Sequence, residues 1–144
     1  MIILDTNVLS ELMRRQPAAS VVAWLDRQND PLWTTCITVQ EIEYGIERLG
    51  DETRRIALRA AFDRALAEAI ESRVLSFDED AARMAGAISA VRERRGLPIH
   101  IADSQIAAIV RCNSATLVTR DVRDFVGLDL DLVNPWNDRT SPEE

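Results

Sequence analysis

The sequence predicts an α/β fold, a parallel sheet with helices on both faces. Two observations carry this. Short runs rich in β-formers alternate with longer segments whose apolar residues recur at helical spacing, the pattern of βαβ units. The first run, Met1-Ile2-Ile3-Leu4, is wholly apolar and stops at Asp5, as a strand buried on both faces does.

The elements follow in order. Thr6 to Met13 reads as a helix and Ser20 to Arg27 as a second, with Pro17 as punctuation between them. Leu32 to Ile37 is the second strand. Thr38 to Leu49 is helical, with Val39, Ile42, Ile46 and Leu49 on one stripe. The next helix spans Thr53 to Glu71, its apolar residues at i+4 steps from Leu58 to Ile70. Arg73 to Phe77 is a third strand, and Asp78 caps a helix that Gly96 and Pro98 stop. Ile101 to Arg111 is the last helix, Ala115 to Thr119 the fourth strand and Leu130 to Val133 a fifth.

With 144 residues and no repeat or linker, the chain fits one domain, expected over residues 1–136 with a polar tail at 137–144. The composition, 47% apolar and 28% charged with a net charge of −7, is that of a globular protein. No apolar run approaches the roughly 20 residues that cross a bilayer, the N-terminus lacks the basic region of a signal peptide, and two cysteines are too few for a disulfide framework. A cytoplasmic protein without membrane contact is expected.

The absences exclude whole classes of chemistry. Every one of the 17 basic residues is arginine, and without lysine neither a Schiff base nor a P-loop can be built. The single histidine, His100, has no nucleophile-elbow sequence with it. What remains as chemical equipment is carboxylates.

In parallel sheets, ligands bind beyond the carboxyl ends of the strands, at the point where strand order reverses. Asp5 closes the first strand, where it either caps the helix that follows or serves a site, and Asp121 lies just past the fourth. Asp103 shares a helix face with Ile106, Ala107 and Val110, where a carboxylate is costly unless something compensates it; it is either a first-turn acid bonded to backbone N–H groups or a site residue. Thr38-Val39-Gln40-Glu41 matches a capping box, and spacing does not separate Glu41 from Glu43 as a site residue. Asp121 and Asp124 also suit a turn. If these acids converge, they raise each other's pKa values, and a hard cation such as Mg²⁺ or Mn²⁺ relieves the repulsion.

Four motifs then resemble those of the PIN-domain ribonucleases, in particular VapC/FitB-like toxins of type II toxin–antitoxin pairs. They are Ile3-Leu4-Asp5-Thr6-Asn7-Val8-Leu9-Ser10-Glu11, Ile37-Thr38-Val39-Gln40-Glu41-Ile42-Glu43-Tyr44-Gly45-Ile46, Ile101-Ala102-Asp103-Ser104-Gln105-Ile106-Ala107-Ala108, and Leu117-Val118-Thr119-Arg120-Asp121-Val122-Arg123-Asp124-Phe125, the last followed by Val133-Asn134-Pro135-Trp136. They occur in family order across nearly the whole chain. The resemblance implies a three-layer α/β/α sandwich with a mostly parallel sheet. It implies an acidic quartet of Asp5, Glu41, Asp103 and Asp121, with Asp5 and Asp103 as direct ligands of Mg²⁺ or Mn²⁺ and Glu41 and Asp121 completing the site. Asp124 is the alternative fourth acid. Thr6, Asn7 and Thr119 become supporting polar groups.

The implied activity is endonucleolytic hydrolysis of RNA by metal-activated water. The implied partners are a VapB-like antitoxin whose C-terminal segment covers the acidic cleft, a second copy of the chain in a homodimer, and DNA only through the antitoxin. Arg120 and Arg123, beside the acids, are phosphate candidates, whereas Arg54, Arg55 and Arg59, and likewise Arg92, Arg94 and Arg95, read as solvated helix faces paired with acids. The exposed side of Val21 to Leu25, with Leu12 and Met13, is a candidate groove for a partner peptide. Acid-pocket phosphatases and receiver domains need a lysine that is missing here; a non-catalytic PIN-like binding module is at odds with four filled acidic positions.

Overall fold

The computed structural model describes residues 1–137, so most of the expected tail, 138–144, lies outside the described residues. Five parallel strands stand in the order β3-β2-β1-β4-β5. In chain order the elements are β1 (Ile2–Leu4), α1 (Thr6–Leu12), α2 (Ala19–Asp26), β2 (Leu32–Thr35), α3 (Cys36–Glu47), α4 (Glu52–Glu68), β3 (Val74–Leu75), α5 (Glu79–Arg94), α6 (Ile101–Cys112), β4 (Thr116–Val118), a 3-10 turn (Val122–Phe125) and β5 (Asp131–Val133).

Alternation along β1 builds the three layers. Ile3 belongs to a cluster with Ile88, Ile106, Leu117 and Phe125, under α5 and α6. Its neighbours Ile2 and Leu4 belong to another with Val8, Val21, Trp24, Ile70 and Val118, under α1, α2 and the end of α4. A third cluster, built on Leu9, Ile42, Ile46 and Phe62, locks α1, α3 and α4 together. Val21, Trp24 and Leu25 are thus core residues. Leu12, Val22 and Leu25 line a small hollow of about 220 Å³ beside α2, while Met13 lines a separate apolar hollow between α1, α3 and α4.

One boundary differs instructively. α3 starts at Cys36, straight out of β2, because Thr35 is the cap: its backbone is extended and its Oγ1 accepts the Thr38 N–H at 3.1 Å. Thr38 therefore sits inside the helix, and the capping box expected at Thr38–Glu41 does not form. Both of its side chains are released for other contacts. Asp78 does cap α5, accepting the Ala81 N–H at 2.9 Å, and Gly96 ends it with a φ of 72°, which costs glycine little.

Arg92 overturns its expected place on a solvated face. It is buried and donates to three backbone carbonyls, of Leu97 at 2.8 Å, Asp124 at 2.9 Å and Val126 at 3.5 Å. The guanidinium ties the end of α5 to the 3-10 turn that follows β4. Its charge faces oriented carbonyl dipoles rather than a carboxylate.

Candidate active site

The chain runs β1, β2, β3 to one side of the sheet and then returns to place β4 and β5 on the other. The reversal lies between β1 and β4, whose ends pair in register at Leu4 and Val118. Asp5 continues the pairing, its N–H donating to Val118 O at 2.9 Å. One residue further on β4's side is Thr119. Topology alone therefore brings Asp5, Thr119 and Asp121 to one crevice.

Asp5 is buried and held at both oxygens. Oδ1 accepts the Thr6 N–H at 2.8 Å, and Oδ2 accepts the Thr119 hydroxyl at 2.7 Å. Burial pushes its carboxyl above the ordinary value, and the charges of Glu41 and Asp121 push the same way; the two hydrogen bonds oppose them. Thr119 is itself fully used, since its Oγ1 accepts the Asp121 N–H at 3.0 Å.

Glu41 projects from the second turn of α3 and accepts the Thr6 hydroxyl at 2.8 Å, while Thr38 Oγ1 lies 3.0 Å from the same hydroxyl. Glu43 points elsewhere, into an ion pair with Arg59 at 2.8 Å. The structure thus separates the two glutamates that spacing left undivided. Asn7 bridges α1 to the β4 end: Nδ2 donates to Asp121 Oδ2 at 3.0 Å, and Oδ1 accepts the Arg120 N–H at 3.1 Å.

Asp103 sits in the first turn of α6, and its carboxylate accepts no hydrogen bond among the described residues. The backbone-bonded alternative raised by its position is absent. Burial pushes its pKa up to about 6, reinforced by Asp5, Asp124 and Glu41 and opposed only by His100. Asp124 thus lies within the field of Asp103, and Asp121 within that of Asp5. Arg120 stacks over Trp136, its guanidinium carbon 4.8 Å from the ring centroid, and with Arg123 and Asn134 it lines an open hollow of about 470 Å³ beside the acids.

These groups fit a hard cation chemically. The donors are oxygens, none of the five acids is in a salt bridge among the described residues, and two carboxyls are pushed towards protonation by burial and by their acidic neighbours. The described residues hold no group of three acidic, histidine or cysteine side chains close enough to form a ready cage. Mg²⁺ takes one or two carboxylates and keeps several waters. Sequence reasoning missed Thr38 as a site neighbour because it read that hydroxyl as a cap.

A family model described as the PIN domain matches residues 2–129. The chain belongs to the PIN-domain family. Among curated relatives, VapC ribonuclease Y4jK of Sinorhizobium fredii is 36% identical over 94% of this chain and 98% of its own length. Toxin FitB of Neisseria gonorrhoeae is 36% identical over 96% of this chain and 100% of its own, and the solved structure FitAcB from that organism superposes with a TM-score of 0.84 over 95% of this chain and 99% of the matched one. VapBC2 from Rickettsia felis, solved bound to a DNA fragment from their promoter, gives 0.77 at 25% identity over 93% and 98% of the two chains. The resemblance read in the four motifs, and the three-layer PIN fold it implied, both hold. Among the described residues no helix is long and apolar enough to cross a membrane.

Proposed function

We propose that this chain is a Mg²⁺- or Mn²⁺-dependent endoribonuclease that acts as the toxin of a VapBC-type pair in the cytoplasm. The observation that carries the reading is the pair Asp5 and Asp103: two carboxyls from distant elements, both raised towards protonation and neither paired with a base, in the crevice where strand order reverses. A hard dication bound there supplies neutralisation of the phosphodiester charge and activation of a water.

The chain's own residues do the rest. Asp5 and Asp103 are the direct ligands. Thr6 and Thr119 hold Asp5 in one rotamer, so its oxygens are oriented before anything binds. Glu41 and Asp121, fixed by Thr6 and Asn7, complete the acidic set and accept hydrogen bonds from ordered water. Asp124 adds charge on the Asp103 side. Arg120, held flat by Trp136, presents its fork to a phosphate next to the scissile one. No side chain is needed as a covalent nucleophile.

The solved toxin–antitoxin complexes among its neighbours support a VapB-like antitoxin as partner; the proposal adds that this antitoxin covers the acidic cleft and makes the DNA contacts, and that the chain pairs with a second copy. The reading is tested by incubating the chain with total RNA in Mg²⁺ or Mn²⁺, in EDTA, and as Asp5→Ala and Asp103→Ala proteins. Cleavage confined to the wild type with metal is expected. Cutting that survives chelation or either substitution contradicts it. Expression alone should arrest growth, and co-expression of the adjacent antitoxin should restore it.

A further inference from the structure

Three arginines on the far side of Glu41 have no acidic partner among the described residues. Arg15 follows α1, and Arg54 and Arg64 lie on α4; all three border one open cavity of about 710 Å³. Arg54, Ala57, Leu58, Ala61 and Arg64 are the i, i+3, i+4, i+7 and i+10 positions of one helical stripe. At about 1.5 Å rise per residue, the two ends of the stripe are about 15 Å apart. The cavity therefore has an apolar floor with a cation at each end and a third from the opposite wall.

The neighbouring arginines are already engaged. Arg59 pairs with Glu43 and Glu47, Arg14 with Glu11, and Arg55 with the Leu49 carbonyl. In a chain of net charge −7, an unneutralised cluster of this kind makes a local positive field. The cavity also connects to the acids. An apolar hollow of about 290 Å³ shares Met13, Arg14 and Leu58 with it and is bounded at its other end by Thr6 and Glu41.

We propose that the α1–α4 cavity is a distal phosphate-binding subsite, in which Arg15, Arg54 and Arg64 hold the backbone of the same single RNA strand whose scissile phosphate lies at the acids. The inference rests on the ribonuclease reading above and adds the direction in which the strand leaves the site. Each guanidinium bonds two phosphate oxygens, and the contact is indifferent to base identity. The three cations offset the repulsion that an acidic chain presents to a polyanion.

The test is fluorescence anisotropy of a labelled single-stranded RNA titrated with the full chain in EDTA, so that the strand stays intact, over a series of salt concentrations. Removing three phosphate contacts in the triple variant Arg15→Ala, Arg54→Ala, Arg64→Ala should make the slope of log K against log salt shallower by about 2. The matching triple lysine variant should keep most of the slope. In Mg²⁺, the alanine variant should lose kcat/KM through KM on a long strand and retain wild-type kinetics on a tetranucleotide too short to reach the cavity. A wild type that cleaves RNA with metal while the alanine variant keeps the full slope overturns the subsite and leaves the ribonuclease reading standing. Equal losses on long and short strands overturn it too, as does a variant that keeps wild-type RNA binding and loses only antitoxin binding. A wild type that neither binds nor cleaves RNA overturns both.

Discussion

The Thr119 hydroxyl donates to Asp5 Oδ2 at 2.7 Å, joining residues 114 positions apart in the chain. It forms where β1 and β4, neighbours in the sheet, end side by side. The bond orients a buried carboxylate and, through the Asp121 N–H that the same oxygen accepts, sets the loop that carries two more acids.

Thr119→Val keeps the shape and removes the hydroxyl. It leaves the Asp5 oxygen and the Asp121 N–H without their partner, at a cost of about 1–3 kcal/mol. A thermal melt should show that loss. RNA cleavage should fall mainly in kcat, because the Asp5 carboxylate is no longer held in one orientation.

Asp103 titrates near pH 6 in the folded chain against an ordinary value of 3.8. Between these limits the folded state holds a proton that the unfolded state has released. Metal-free stability therefore falls as pH rises through this window and stays low above it. Asp103→Asn should remove its share of that dependence, leaving the part of the same sign that buried Asp5 contributes, and stabilise the metal-free protein near neutral pH by about 1–2 kcal/mol, discounted for the partial exposure of the group, while eliminating RNA cleavage. Melts across the window in EDTA check the sign. A metal-free chain that is more stable near neutrality than in mild acid, by an amount Asp103→Asn removes, contradicts it.

Arg92→Ala strips three carbonyls of their donor and should cost about 2–4 kcal/mol. It also frees the turn that carries Asp124. Arg92→Lys should recover only part of the stability, since one ammonium cannot span the positions a planar fork reaches. Urea unfolding of the three proteins measures both effects.

Asp121 lies in the field of Asp5 and Asp124 in that of Asp103. Asp121→Asn and Asp124→Asn should each reduce cleavage less than Asp5→Asn or Asp103→Asn. Raised Mg²⁺ should restore activity to both. Failure of excess metal to rescue either variant would assign that acid a role other than support of the ion.

Much of this was legible in the sequence, for physical reasons that differ by residue. β1 could be read because an apolar run ending in an acid has few other uses, and its end had to lie at a switch point once the strands were parallel. Asp103 stood out because a carboxylate on an apolar helix face demands an explanation. The start of α3 was not legible: Thr35 and Thr38 are equally good caps, and only the extended backbone at Thr35 decides between them. Glu41 and Glu43 could not be parted by periodicity, since what parts them is Arg59 reaching across from α4. Arg92 was misplaced because nothing in its neighbourhood shows that loop carbonyls converge on it.

If Asp5 and Asp103 serve one ion, manganese titration followed by electron paramagnetic resonance on the wild type and the Asp5→Asn and Asp103→Asn proteins should show saturable Mn²⁺ binding in the wild type that each single substitution abolishes or weakens severely. Undiminished Mn²⁺ binding in both variants would mean that the two carboxylates share no ion.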